Sequence, residues 1–443
     1  MYSASHGILD QEESVALFID GRERTKMSVL RTMLNPYRGM PKEIYVIFIA
    51  RIINAIGAFV APLMTIIMTQ SIGLSEGTAG FYLSLSGGVS LMAALCGGKL
   101  VDRFGRKRVI LLFSGSAVLV FFRIGFMEPS LTMIHLIILA GALNSTTKPA
   151  YDSLIADLTT PANRSGAYAL SYMGWNIGFA IGPVLGGFLY RHHLPWVFIG
   201  EGMAIFMSLV LIATFIKETL EKAHEEIQDE ERYLERRVEG SIFKVIRLRP
   251  LLICFALIVF GYNFTYSQWS FMLPMQVMKN YPVIGSQYFG FLAAFNGLIV
   301  IIFTPIITRL AGHLPYLRRG VMGGILYAVG FGMIGVLNSL EWLFLWAFIF
   351  TLGEIMMAIT VVPFTVDNTP ASHRGRMIST MAIIEDSGYT LGPLGMGIAL
   401  SYICMETGWL VLGASTLVFT LLMKRLEHRE KNIAGKTMKV MAK

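Results

Sequence analysis

The sequence predicts an all-α membrane protein with twelve transmembrane helices in two pseudo-symmetric six-helix halves, and three observations carry that reading. The chain is 54% hydrophobic and 15% charged over 443 residues, too apolar for a soluble globular fold. Apolar runs begin near residues 44, 78, 109, 132, 165, 195, 250, 287, 319, 342, 376 and 407, and about 20 such residues cross a bilayer core. Asp157, Arg164, Gly182 and Pro183 recur as Asp367, Arg374, Gly392 and Pro393, all at an offset of 210 residues, which marks an internal duplication.

Taken in order, residues 1–42 read as a cytoplasmic lead, polar throughout and without the apolar core and cleavage site of a signal peptide. Its Arg22, Arg24, Lys26, Arg31, Arg38 and Lys42 suit an anionic inner leaflet. Residues 43–216 form the first six-helix half, and 217–249, rich in Glu, Lys and Arg, a solvated linker. Residues 250–424 form the second half and 425–443 a basic tail. The net charge of +8 is concentrated at Arg103–Arg108, Arg309–Arg319, Arg374–Arg376 and Lys424–Lys443. The positive-inside rule puts these connections, and both termini, in the cytoplasm of a cell membrane. The outward connections hold few basic residues, mainly Arg191 and Lys279. Such clusters fit lipid headgroups better than nucleic acid. Cys96, Cys254 and Cys404 have no ligand spacing and read as reduced packing residues, neither disulfide nor metal ligands. No cofactor is implied, and a monomer is expected.

The most informative connection is Gly98-Lys99-Leu100-Val101-Asp102-Arg103-Phe104-Gly105-Arg106-Lys107-Arg108. A purely topogenic basic loop explains its charge but leaves the glycines and Asp102 unexplained. The pattern Gly98-x-Leu100-x-Asp102-Arg103-x-Gly105-Arg106-Lys107 resembles the loop between spans 2 and 3 of the major facilitator superfamily, a resemblance extending over roughly residues 44 to 425. It implies alternating access, with substrate bound between the halves near the bilayer midplane. It also implies that Asp102 faces the N-terminus of span 11, where a helix dipole stabilises an anion. Arg103 and Arg106 would then lie close to Asp157, and with Arg164 these residues form a latch that releases on the inward swing. The second copy of the loop, Thr308 to Arg318, keeps Leu310 and Arg318 but has Gly312 in place of the acid.

In span 5, Gly174, Gly178, Gly182 and Gly186 recur every fourth residue, with Pro183 and Gly187 added. One helix face is nearly bare backbone and permits close packing. The spacing resembles the antiporter motif of the drug-efflux branch, which implies export.

Ionisable residues inside a membrane usually mark a pathway or a proton relay. Glu354, in Thr351-Leu352-Gly353-Glu354 of span 10, lies near the midplane, roughly 20 Å from the cytoplasmic end at 1.5 Å per residue. The tetrad resembles the stretch bearing an essential acid in multidrug–proton antiporters and peptide–proton symporters. Glu385 and Asp386 in span 11 are adjacent carboxylates that cannot both ionise cheaply. These three are the candidate proton carriers, Glu354 first; the alternative is buried ion pairing with Lys or Arg. The first half carries the opposite sign in Arg51, Lys148 and, nearer the outside, Arg123. Arg51 and Lys148 either neutralise those carboxylates or bind an anionic substrate group, and Asp152, one turn beyond Lys148, is a further partner for it. Lys148-Pro149 with Glu354 resembles the peptide–proton symporter pattern, although Phe48-Ile49-Ala50 before Arg51 supplies no Glu. Tyr262, Tyr266 and Trp269 share a face of span 7 beside Asn263 and Gln268, suited either to packing or to stacking on an amphipathic or cationic substrate. Asn54 and Asn296 are polar candidates to line a cavity or to join helices.

Gly97-Gly98-Lys99 is followed by Leu100 rather than Ser or Thr, so no phosphate-binding loop is present. Hydrolase and metalloprotease motifs are absent as well, and catalysis is not expected. The expectation is a proton-coupled secondary transporter exporting amphipathic small molecules. The alternatives are a proton symporter importing an anionic or zwitterionic solute such as a peptide and, third, a lipid flippase.

Overall fold

The computed structural model describes residues 39–160, 163–219, 250–368 and 374–441, which are helices and short connections without a strand among the described residues. In chain order the helices are α1 (Lys42–Ile56), α2 (Val60–Ile66, prolonged by a π turn over Ile67–Ser71), α3 (Glu76–Phe104), α4 (Arg106–Gly125), α5 (Leu131–Thr146), α6 (Lys148–Asp157), α7 (Arg164–Phe179), α8 (Gly182–His192) and α9 (Leu194–Phe215). They continue as α10 (Pro250–Tyr266), α11 (Met272–Asn280), α12 (Gly285–Ala311), α13 (Tyr316–Gly332), α14 (Leu340–Ala358), α15 (Val361–Asp367), α16 (Arg374–Leu400) and α17 (Met405–Met441). By length and composition, eight segments suit a membrane crossing: Lys42–Ser71, Glu76–Phe104, Arg106–Gly125, Leu194–Phe215, Leu251–Asn280, Gly285–Ala311, Leu340–Thr365 and Met405–Glu430. The expectations for most of the lead and for residues 220–249 of the linker lie outside the described residues.

Several expected spans are broken rather than continuous. The breaks fall at Gly57–Phe59, Thr147, Ala180–Ile181, Ser267–Phe271 and Ile359–Thr360. Each is followed, within the first three residues of the next helix, by a proline: Pro62, Pro149, Pro183, Pro274 or Pro363. A proline has no N–H and its ring clashes with the carbonyl four residues earlier, so the preceding turn loses its hydrogen bond. The glycine-rich segment is therefore two helices, α7 and α8. In α16 Pro393 is accommodated without a break, and the next amide, Leu394 N, donates to Ser84 Oγ of α3 at 3.0 Å. Helix α17 runs on from its apolar part through the basic segment to Met441.

Helices α1, α3, α4, α5, α7 and α9 pack among themselves, as do α10, α12, α13, α14, α16 and α17. The two sets meet where α3 lies on α16 and α8 on α12. Both junctions are made by glycine. A Cβ on Gly77 would lie 3.4 Å from Gly397 O, and one on Gly187 would lie 3.0 Å from Gln287 Cα, so the backbones nearly touch. Ser286 Oγ donates to Gly187 O at 3.0 Å, and Arg191 Nη1 to Gln287 Oε1 at 3.3 Å. These contacts lie at the start of α3 and the end of α16, and at the end of α8 and the start of α12, opposite the end of α3 that carries the Gly98–Arg108 loop.

The second set is cored by aromatic rings: Phe331 stacks on Phe350 at 4.5 Å and lies parallel to Trp409 at 6.3 Å. The three cysteines are free but exposed, and Cys404 lies in the turn before α17, so they are not the packing residues expected from the sequence.

Candidate functional site

Glu354 sits near the middle of the α14–α15 segment, half-buried against α12. Asn296 of α12 donates through Nδ2 to Glu354 Oε2 at 2.9 Å and to Thr351 Oγ1 at 2.8 Å. The Thr351 hydroxyl in turn donates to Ala347 O at 2.6 Å, so the threonine one turn before the acid is fixed from both sides. Three tyrosines surround the carboxyl group. The Tyr266 hydroxyl interacts with it directly, and Tyr327 and Tyr389 lie within electrostatic reach. Tyr266 stacks on Tyr327 with centroids 5.7 Å apart and inclines to Tyr389 at 6.2 Å. Tyr389 is 40% exposed, so this wall fronts open space rather than sealed core. Among the described residues Glu354 has no ion-pair partner. A carboxyl group flanked by aromatic faces and an amide donor can hold a proton or attract an organic cation.

The other acids differ from one another. Glu385 is 6% exposed, its Oε1 has no hydrogen-bond partner among the described residues, and its backbone carbonyl accepts from Asn263 Nδ2 at 2.9 Å. Asp386 is exposed and within electrostatic reach of Lys148. Lys148 and Arg51 both act on Asp152, and the Arg51 guanidinium lies over the Tyr151 ring at 4.5 Å, with its Nε unpartnered among the described residues. Arg51, Lys148, Asp152 and Asp386 thus form one charged neighbourhood, contributed by α1, α6 and α16. Of the aromatic trio, only Tyr266 reaches Glu354. Tyr262 is fully buried with its hydroxyl 3.4 Å from Thr420 Oγ1, and Trp269 packs edge-on against Phe350 at 5.6 Å. Asn54 is half-buried in α1.

At the loop end, Gly105 takes φ +97°, a left-handed conformation that favours glycine, and so lets α3 turn sharply into α4. Arg106 Nε pairs with Asp157 Oδ2 at 2.9 Å, and the Thr219 hydroxyl donates to the same oxygen at 2.6 Å. Arg103 does not join them; it is exposed over the Phe104 ring at 5.3 Å. Asp102 is exposed, and the Arg164 side chain lies outside the described residues. The glycine series meets α1 and α2: Gly174 faces Phe48, Gly178 and Gly182 face Ala55, and Gly186 faces Phe59 and Leu63. Pro183 starts α8 and Gly187 abuts α12.

Sequence reasoning missed four groups. Tyr327 and Tyr389 complete the wall around Glu354. Glu218 accepts from the Arg106 and Arg108 amides at 2.8 and 3.2 Å, capping the start of α4. Glu201 of α9 accepts from Val60 N at 2.8 Å, capping α2 where span 1 is broken. Pro62 is the signal that foretells that break, and a broken intramembrane helix needs an acceptor for its freed amides.

Residues 47–393 match the sequence model of the Major Facilitator Superfamily. The chain is 25% identical over 371 residues to a "Na(+), Li(+), K(+)/H(+) antiporter" of Planococcus maritimus, covering 76% of this chain and 84% of that one. It is 24% identical over 406 residues to "Multidrug resistance protein MdtH" of Proteus mirabilis, covering 87% and 95%. Among solved structures, a peptide-bound POT family transporter superposes with a TM-score of 0.74 at 14% identity, over 89% of this chain and 97% of that one. These relatives are membrane transporters and not enzymes. With the loop motif, the helical fold and a family match over most of its length, this chain belongs to the Major Facilitator Superfamily of multi-pass membrane transporters of small molecules.

Proposed function

We propose that the protein is a proton-coupled antiporter working by alternating access, exporting amphipathic small molecules, above all organic cations, in exchange for protons. The observation that carries this is Glu354, held by Asn296 and walled by Tyr266, Tyr327 and Tyr389 with no cation partner among the described residues. Ionised Glu354 and the ring faces attract a cationic, partly apolar ligand. A proton on the same carboxyl oxygen removes that attraction. Proton and substrate therefore compete for one group, which is the requirement for exchange. Glu385 and Asp386 are the second proton positions, Asn54, Asn263, Tyr262 and Trp269 are substrate-facing candidates for other steps of the cycle, and Arg51 and Lys148 are the candidates to hold an anionic solute in the second reading below. The relatives named as a cation/proton antiporter and as a multidrug resistance protein support this reading.

The proposed architecture is twelve spans in two halves, 43–216 and 250–424, with lead, linker and tail cytoplasmic in a monomer in the cell membrane. It is supported by the helix starts: Lys42 and Pro250, Glu76 and Gly285, Arg106 and Tyr316, Leu131 and Leu340, Arg164 and Arg374, and Leu194 and Met405 are separated by 208 to 211 residues. With the loop end inside, the glycine junctions close the outer face and the conformation is inward-open. Asp102, Arg103 and Arg164 are the latch of the alternative state, built around an Arg106–Asp157 pair that is already formed in this one, and the Gly174–Gly187 series is its sliding surface.

A second reading, symport of an anionic or zwitterionic solute such as a peptide, is favoured by Arg51 and Lys148 and by the likeness to peptide transporters. Lipid flipping is a weaker third. Charge removal separates the first two: Glu354→Gln abolishes uptake of a lipophilic cation into inside-out vesicles, while Lys148→Ala leaves it within about twofold. Loss of transport in both variants, with a dipeptide as the moving solute, would overturn export in favour of symport.

A further inference from the structure

We propose that the groove between α10 and α17 seats one anionic phospholipid through its phosphate and an acyl chain. The groove holds about 340 Å³; Leu257, Phe419 and Leu422 form its apolar wall, and Arg425 and Arg429 line it further along α17. It lies outside the transport site. Leu257 and Tyr266 are nine residues apart on α10, about 900° at 3.6 residues per turn and so on opposite faces of the helix. The proposal rests on the membrane reading of the fold and not on any substrate.

Three features match the groove to an amphipathic anion. Arg425 and Arg429 are four residues apart on α17, hence on one face, and both are exposed with no ion-pair partner among the described residues. They lie in the charged part of α17, which opens at Lys424 immediately after its apolar run from Trp409 to Met423, and this sets them at headgroup depth. Leu257 is 52% exposed and Leu422 40% exposed at the same groove, so the wall beside the guanidiniums is open to an acyl chain. A guanidinium pair binds phosphate through forked donors, and a basic pocket between helices selects anionic headgroups. A second groove, between α4 and α9, lined by residues such as Leu111, Val118 and Phe206, contains no charged side chain and offers nothing to select a headgroup.

The test is native mass spectrometry of the delipidated full chain titrated with phosphatidylglycerol or phosphatidylcholine, with thermal unfolding recorded for every variant. The expected result is one retained phosphatidylglycerol, with affinity about tenfold above phosphatidylcholine, lost in Arg425→Gln/Arg429→Gln. Lys436→Gln/Lys439→Gln removes the same charge further along the chain and leaves retention unchanged. Leu257→Trp keeps both arginines but fills the acyl wall, and it also loses the lipid; it decides the matter should the double arginine variant unfold. Equal loss in the two double variants would reduce the effect to a general surface field and overturn the proposal. So would displacement of the lipid by inorganic phosphate at equal concentration, or retention of phosphatidylcholine at the same affinity.

Discussion

Asp157→Ala removes the anion from a pair whose side chains are only 9% and 12% exposed, with Arg106 Nε 2.9 Å from Asp157 Oδ2. Truncating one partner of a buried pair leaves an uncompensated charge and costs about 3–5 kcal/mol. The Thr219 hydroxyl loses its acceptor in the same step, and a neutral hydrogen bond adds about 1 kcal/mol. Replacing both partners, as in Arg106→Met/Asp157→Met, removes the orphaned charge and restores most of that loss, because buried ion pairs are nearly isoenergetic with apolar substitutes. The internal control is Lys279–Glu406, paired at 2.7 Å but 54% and 36% exposed. Exposed pairs contribute about 0–1 kcal/mol, so Glu406→Ala is close to silent. Chaotrope unfolding of the purified protein in a fixed detergent reads all three variants. A loss below about 1 kcal/mol for Asp157→Ala, or a double variant as unstable as the single one, would refute the assignment of this pair as buried and coupled.

Two further outcomes follow from the geometry. Glu201→Ala leaves the Val60 amide without its acceptor inside the membrane and lowers stability by about 1–3 kcal/mol, whereas Glu201→Gln keeps an acceptor oxygen and loses less; the same unfolding assay orders the two. Gly187→Val puts side-chain atoms against Ser286 and Gln287 and forces α8 from α12. Phe188 and Phe291, whose rings lie 5.9 Å apart, then cross-link poorly when both are replaced by cysteine, although the same pair cross-links readily with Gly187 present.

Much of this arrangement was legible in the sequence, and its gaps have physical causes. A helix begins within three residues of each expected apolar run, because burial in lipid demands long uninterrupted apolar segments and charged residues punctuate them. The interruptions at Gly57–Phe59 and Ser267–Phe271 were legible too, from Pro62 and Pro274, but a hydropathy window averages over them. Glu354 stood out as a lone acid in an apolar run. Its surroundings did not, because Tyr327 and Tyr389 come from α13 and α16 and only tertiary packing gathers them. Tyr262 and Tyr266 share a sequence face, yet the neighbouring helix covers Tyr262 completely and leaves Tyr266 at the open side. The family resemblance likewise put both Arg103 and Arg106 beside Asp157, whereas the turn at Gly105 brings only Arg106 there and leaves Arg103 over Phe104.

Proton movement in sealed liposomes tests the central claim most directly. The protein is reconstituted with a pH-sensitive dye inside, a pH gradient is imposed, and a lipophilic cation is added outside. Substrate-dependent proton flux opposite to the cation, abolished by Glu354→Gln and retained in Glu406→Ala, is the predicted result. Flux in the same direction as the solute, or opposite flux undiminished by Glu354→Gln, would contradict exchange at that carboxyl group.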